Sequence, residues 1–94
     1  MKHATVIFGP SVDAAIRDMI DYVDLDSIPT VIAFLERIQQ RLVGTLSTFP
    51  EGGSAFQAGV RLFVVEGYSF LYEYHSDRNE VHVLEMKAPR TDWR

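Results

Sequence analysis

Cysteine is absent from the 94 residues, and its absence excludes disulfides, thiolate metal ligands and cysteine nucleophiles together. No apolar run approaches the roughly 20 residues that a membrane helix needs, so no helical span is expected. The opening residues Met1 to Gly9 hold only a short apolar stretch before Pro10 and no small-residue cleavage site, which argues against a secretory leader. Positive charge is scarce. The 9 Lys and Arg face 13 Asp and Glu for a net -4, whereas neutralising nucleic-acid phosphates normally takes a basic surface. Internal repeats and low-complexity tracts are also missing.

What is present suits one small domain over residues 1–94, expected in the cytoplasm. An apolar fraction of 47% supplies a core, and a mean hydropathy of -0.01 argues against disorder. Charge is unevenly placed. Five carboxylates and one base, Arg17, fall between Asp13 and Asp26, while four bases and three acids fall between Arg78 and Arg94. Two explanations stand: a solvated acidic helix face with a basic tail, or a dipolar domain whose basic end meets an acidic partner.

Thr5-Val6-Ile7-Phe8, stopped by Gly9-Pro10, reads as a first strand. Ser11 sits where an N-cap belongs, and Val12, Ala15, Ile16, Met19, Ile20 and Val23 recur at helical spacing over 12–24. A second helix over about 28–47 follows, with Ser27 as cap and Pro29 in its first turn; its apolar row is Val31, Leu35, Ile38, Leu42, Leu46 and Phe49. Gly44 within it suggests a close backbone approach. The short link makes the two helices an antiparallel hairpin. Phe49-Pro50-Glu51-Gly52-Gly53-Ser54 reads as a loop. Beyond it the period changes to two: residues 60–65, a turn at Glu66-Gly67, residues 68–74, a turn at 75–79 and residues 81–86 make an antiparallel meander. The expected architecture is α+β, in the order β-α-α-β-β-β, a helical hairpin packed on a small, mostly antiparallel sheet.

Chemistry is thinly signalled. His3, His75 and His82 lack zinc-site spacing, and Gly52-Gly53 is not a phosphate loop, so no metal, cofactor or catalytic residue is expected. His82, between Val81 and Val83, reads as a structural residue on one face of a half-wet sheet. Tyr68, Phe70, Tyr72 and Tyr74 share one strand face, where packing against the helices competes with base stacking. Arg61, set among apolar strand neighbours, must reach solvent or an anion; Glu73 or Glu85 on a neighbouring strand, or a partner's carboxylate, is the expected counter-charge. The closing Lys87-Ala88-Pro89-Arg90-Thr91-Asp92-Trp93-Arg94 joins bases to the lone tryptophan, a hot-spot composition.

Ile16-Arg17-Asp18-Met19-Ile20-Asp21-Tyr22-Val23, Ala33-Phe34-Leu35-Glu36-Arg37-Ile38, Phe49-Pro50-Glu51, Gly59-Val60-Arg61-Leu62-Phe63-Val64, the run from Gly67-Tyr68 through Tyr72-Glu73-Tyr74, and Arg90 occur in an order that resembles the ParE/RelE superfamily of bacterial toxins, the ParE branch most of all. The resemblance spans essentially the whole chain. It implies the toxin of a type II toxin–antitoxin system, held in a hetero-oligomer by a ParD-like antitoxin and inhibiting DNA gyrase without being an enzyme. The alternative it carries is a RelE-like, ribosome-dependent mRNA interferase; an inert binding module is a third reading. Arg61 and Arg90 match the two family arginine positions. The lysines expected before the middle strand are missing from Ser54-Ala55-Phe56-Gln57-Ala58, and Trp93 stands near the place of the family's tyrosine or histidine, where an indole is neither acid nor base. The candidates for antitoxin or target binding are therefore Arg61, Arg78, Arg90, Trp93 and Arg94. Neither membrane contact nor sequence-specific DNA binding by the chain alone is expected, and the resemblance implies an acidic, partly disordered partner.

Overall fold

The structure is a computed structural model and describes residues 2–89. Its elements are β1 (Thr5–Phe8), α1 (Pro10–Asp21), a 3₁₀ turn (Leu25–Ser27), α2 (Ile28–Thr48), β2 (Ser54–Gln57), β3 (Val60–Val65), β4 (Tyr68–His75) and β5 (Glu80–Lys87). The five strands form one sheet in the order β1-β5-β4-β3-β2. β2 through β5 pair antiparallel, whereas β1 lies parallel to β5, Val6 beside Val81 and Phe8 beside Val83. The α+β architecture and the helical hairpin are those the periodicities predict.

The helix boundaries are set by backbone chemistry. α1 starts at Pro10, whose fixed φ suits a first helical turn, and Gly9 takes the extended cap position without a side-chain bond. Ser11 is already inside the helix, which corrects its expected role as cap, and the helix closes at Asp21 rather than at 24. Ser27 precedes α2 but its hydroxyl caps nothing, and Pro29 sits in the first turn. Phe49 falls just past the end of α2 and is 65% exposed, so it leaves the apolar row. Gly44 also departs from expectation: a Cβ there would meet nothing within 4 Å, so no backbone approaches it.

The core lies between the hairpin and one sheet face. α2 contributes Leu35, Ile38, Leu42 and Leu46, α1 contributes Val12, and the sheet contributes Val65, Phe70, Tyr72, Val81, Val83 and Met86, all buried. Tyr68 and Tyr74 pack against this cluster, and the Tyr68 ring meets Phe34 edge-on at 5.8 Å. The strand tyrosines thus face the helices rather than offering a stacking platform. α1 rests mainly on β5 and touches α2 sparsely. The β3–β4 turn places Glu66 at φ 49 and Gly67 at φ 84, the two positive angles that a two-residue hairpin turn needs. Arg41 (3.3 Å) and Arg37 (3.8 Å) of α2 both reach the Glu66 carboxylate, tying this turn to the helix.

One strand was not expected. Ser54–Gln57 pairs with β3 through an irregular register between Ala55 and Gln57, forming an exposed edge. The reading of residues 49–54 as loop holds up to Gly53, where the chain turns back along β3.

Candidate functional site

Arg61 is the second residue of β3 and stands opposite Tyr72 of β4, so both side chains leave the sheet on the core side. At this end of the row the cover is the 49–53 connection rather than a helix. Gly53 lies so close that a Cβ on it would be 2.7 Å from the Leu62 carbonyl oxygen and 2.8 Å from the Tyr72 ring and hydroxyl. The Gly53 N–H donates to the Tyr72 hydroxyl at 2.8 Å, while the Gly53 carbonyl accepts from Arg61 Nη1 at 3.0 Å. The same guanidinium donates to the Glu51 carbonyl at 3.2 Å and reaches the Glu51 carboxylate at 3.5 Å.

The counter-charge of Arg61 is therefore Glu51, ten residues back along the chain, and neither Glu73 nor Glu85 takes that role. Alternation explains the correction. Glu73 stands opposite His82 and Glu85 opposite Leu71, positions that put both carboxylates on the far face of the sheet. Burial raises the Tyr72 hydroxyl above its ordinary value of 10.0; the Gly53 hydrogen bond and the Arg61 charge oppose that shift, and Glu51 adds to it.

A recess of about 300 Å³ opens beside this network, lined by Glu51, Ala55, Gln57, Val60, Arg61 and Tyr74 among others. The Tyr74 hydroxyl donates to Asn79 Oδ1 at 2.7 Å, which orients the ring along the wall. Chemically the recess offers one guanidinium, half-neutralised by Glu51, with amide, hydroxyl and backbone groups. Neither lysine nor histidine is among its described lining residues.

Of the other sequence candidates, Arg78 lies in the β4–β5 turn at the same end of the sheet but reaches Asp77 at 3.8 Å and does not line the recess. Arg90, Trp93 and Arg94 lie outside the described residues. The structure also groups residues that looked scattered. His75 and His82 meet on the far face with ring centroids 4.3 Å apart and planes tilted by 44°, His82 Nε2 is 2.9 Å from Glu80, and His75 Nε2 is 3.3 Å from Glu73. No group of three or more His, Asp or Glu among the described residues is arranged to hold a metal. His82 sits half-buried on a half-wet face, as its neighbours in the strand imply. Glu51, Gly53 and Tyr72 are the site residues that sequence reasoning missed; the adjacent Gly52-Gly53 after Pro50 was the signal, since such a pair marks places where backbone must approach something closely.

No family model and no curated protein matches the chain. Solved structures do. The toxin–antitoxin complex RelBE2 from Mycobacterium tuberculosis is 18% identical over 97% of this chain and 97% of that chain, with a TM-score of 0.64. The chromosomal ParDE system from P. aeruginosa is 16% identical over 94% and 98%, with a TM-score of 0.71. The isolated E. coli RelE toxin is 13% identical over 95% and 87%, with a TM-score of 0.60. At these identities the likeness is one of fold, the RelE/ParE-like arrangement of two helices on a mixed sheet, and it favours neither branch.

Proposed function

We propose that this chain is the toxin of a type II toxin–antitoxin pair, neutralised in a hetero-oligomer by an antitoxin, and that it acts without catalysis on DNA gyrase, as ParE-type toxins do. The observation that carries the toxin reading is coverage: proteins of toxin–antitoxin systems match 94–97% of the chain, so the likeness is to a whole toxin fold rather than to a common fragment. The non-enzymatic reading rests on the recess. Cleaving RNA takes groups that move protons and cations that stabilise a developing phosphorane, within reach of one phosphate. The recess presents one cation among its described residues, and Glu51 offsets it.

The alternative, an mRNA interferase, is favoured by one observation, the placement of Arg61 and Tyr74 in a single recess. Two assays on the purified protein separate the readings. Inhibition of gyrase supercoiling without ribosome-dependent mRNA cleavage is the expected result. Cleavage at the ribosome would establish the alternative, and inactivity in both would leave an inert binding module.

A further inference from the structure

An arginine carries five N–H donors, and the fold uses only part of those on Arg61. Its Nη1 donates to two backbone carbonyls, Gly53 at 3.0 Å and Glu51 at 3.2 Å, which fixes the plane of the group. Nη2 meets the Glu51 carboxylate at 3.5 Å, a long contact with a side chain that is 68% exposed. Nε donates to nothing among the described residues. The Nε–Nη2 edge of a guanidinium presents two parallel N–H groups, the fork that matches the two oxygens of a carboxylate.

The recess around this edge holds further unused donors. Gln57 and Ser76 line it, and neither the Gln57 amide nor the Ser76 hydroxyl has a partner among the described residues. Ala55 stands opposite Arg61 across the β2–β3 pair, where a longer side chain would fill the space beside the guanidinium. Val60 and the Tyr74 ring, oriented by Asn79, add an apolar wall. At about 300 Å³ the hollow is at the small end of ligand sites, with room for one side chain or a small organic acid rather than a nucleotide.

Charge narrows the choice. The recess sets one guanidinium against one carboxylate, Arg61 and Glu51. A singly charged carboxylate can displace the loosely held Glu51 side chain and keep the guanidinium paired. Phosphate, largely doubly charged near neutral pH, would bring a second charge that nothing among the described lining residues compensates.

We infer that the recess is a binding site for a single carboxylate, carried by an acidic side chain or by the C-terminus of a peptide. Arg61 Nε and Nη2 form its fork, Gln57 and Ser76 are the flanking donors, and Tyr74 is the wall for the adjoining methylene groups. The inference goes beyond the toxin reading and does not depend on it.

Three probes are titrated by NMR into the full chain at constant ionic strength. N-acetylglutamate blocked as its α-methylamide offers only a side-chain carboxylate, N-acetylglycine only a terminal one, and inorganic phosphate neither. At least one carboxylate should saturate, shift the signals of Arg61 Nε–H and the Gln57 amide, and bind at least tenfold more tightly than phosphate. The tighter of the two names the source of the group. Glu51→Gln removes the competing carboxylate and should tighten that probe at least threefold, whereas Arg61→Gln should abolish its saturation with the far-UV spectrum unchanged. Phosphate binding as tightly as the better carboxylate, saturation by neither carboxylate, or undiminished binding in Arg61→Gln would each overturn the proposal. Should Arg61→Gln unfold the chain, Glu51→Gln decides, because its side chain is exposed: unchanged or weaker binding there would also overturn it.

Discussion

Tyr72 connects three parts of the site through one hydroxyl: it is buried under Gly53, accepts that residue's N–H, and stands beside Arg61. Removing the hydroxyl in Tyr72→Phe leaves the Gly53 N–H without its partner, a loss of about 1 kcal/mol read from the urea midpoint. The same residue predicts an alkaline limb. Its folded value is raised, so the fold favours the neutral phenol; this contribution is whole below the unfolded value near 10.0 and is lost as pH rises through the folded one. Stability should therefore fall with increasing pH above that point, and Tyr72→Phe should flatten the decline. Gly53→Ala pushes a methyl group against the Leu62 carbonyl and the Tyr72 ring and should destabilise by about 1–3 kcal/mol. Arg61→Ala should cost about 1 kcal/mol, because its partners are partly exposed, and Arg61→Lys should not restore it, because two guanidinium nitrogens serve different acceptors. That Arg61 needs an anion was legible from its apolar neighbours. That the anion is Glu51 was not, since alternation tells which face a side chain takes but not how a connecting loop folds over it.

Among the elements, those with a strong period were legible and those without one were not. The row Leu35, Ile38, Leu42, Leu46 announces α2, and alternation announces β3 to β5. Ser54-Ala55-Phe56-Gln57 has neither pattern: all four residues are exposed, so no buried face writes itself into the sequence. An exposed edge strand joined to the sheet on one side should open first. Amide hydrogen exchange should find β2 the least protected strand and β4, between two partners, among the slowest to exchange. Within α2, Gly44→Ala places its methyl group in open space and should stabilise the fold by about 0.5–1 kcal/mol, measured as a rise in urea midpoint.

At the scale of the molecule, the toxin reading predicts growth arrest when the chain is expressed alone and rescue by a co-expressed antitoxin. Among the described residues, every buried apolar side chain lies at or before Met86. Removing residues 91–94 should accordingly leave a folded chain that still binds its neutraliser; loss of arrest in that variant would place the toxic contact in the tail, and a melted product would place the tail in the fold. The fold class was readable because each periodic segment agreed with one layered arrangement. The parallel pairing of β1 with β5 was not, because nothing in a four-residue strand records which distant neighbour it will join.

That pairing also sets an order of events during synthesis. β1 is the first element of this fold to be made, yet the strand it joins is the last of them, and β5 also lies between β1 and β4 in the sheet. At roughly 5–20 residues per second the first strand waits several seconds for its neighbour. During that interval α1 lacks the strand it rests on, and its apolar side is open to whatever is nearby. The fold therefore stays incomplete until β5 has been made, and its first strand and first helix wait through the making of every element between.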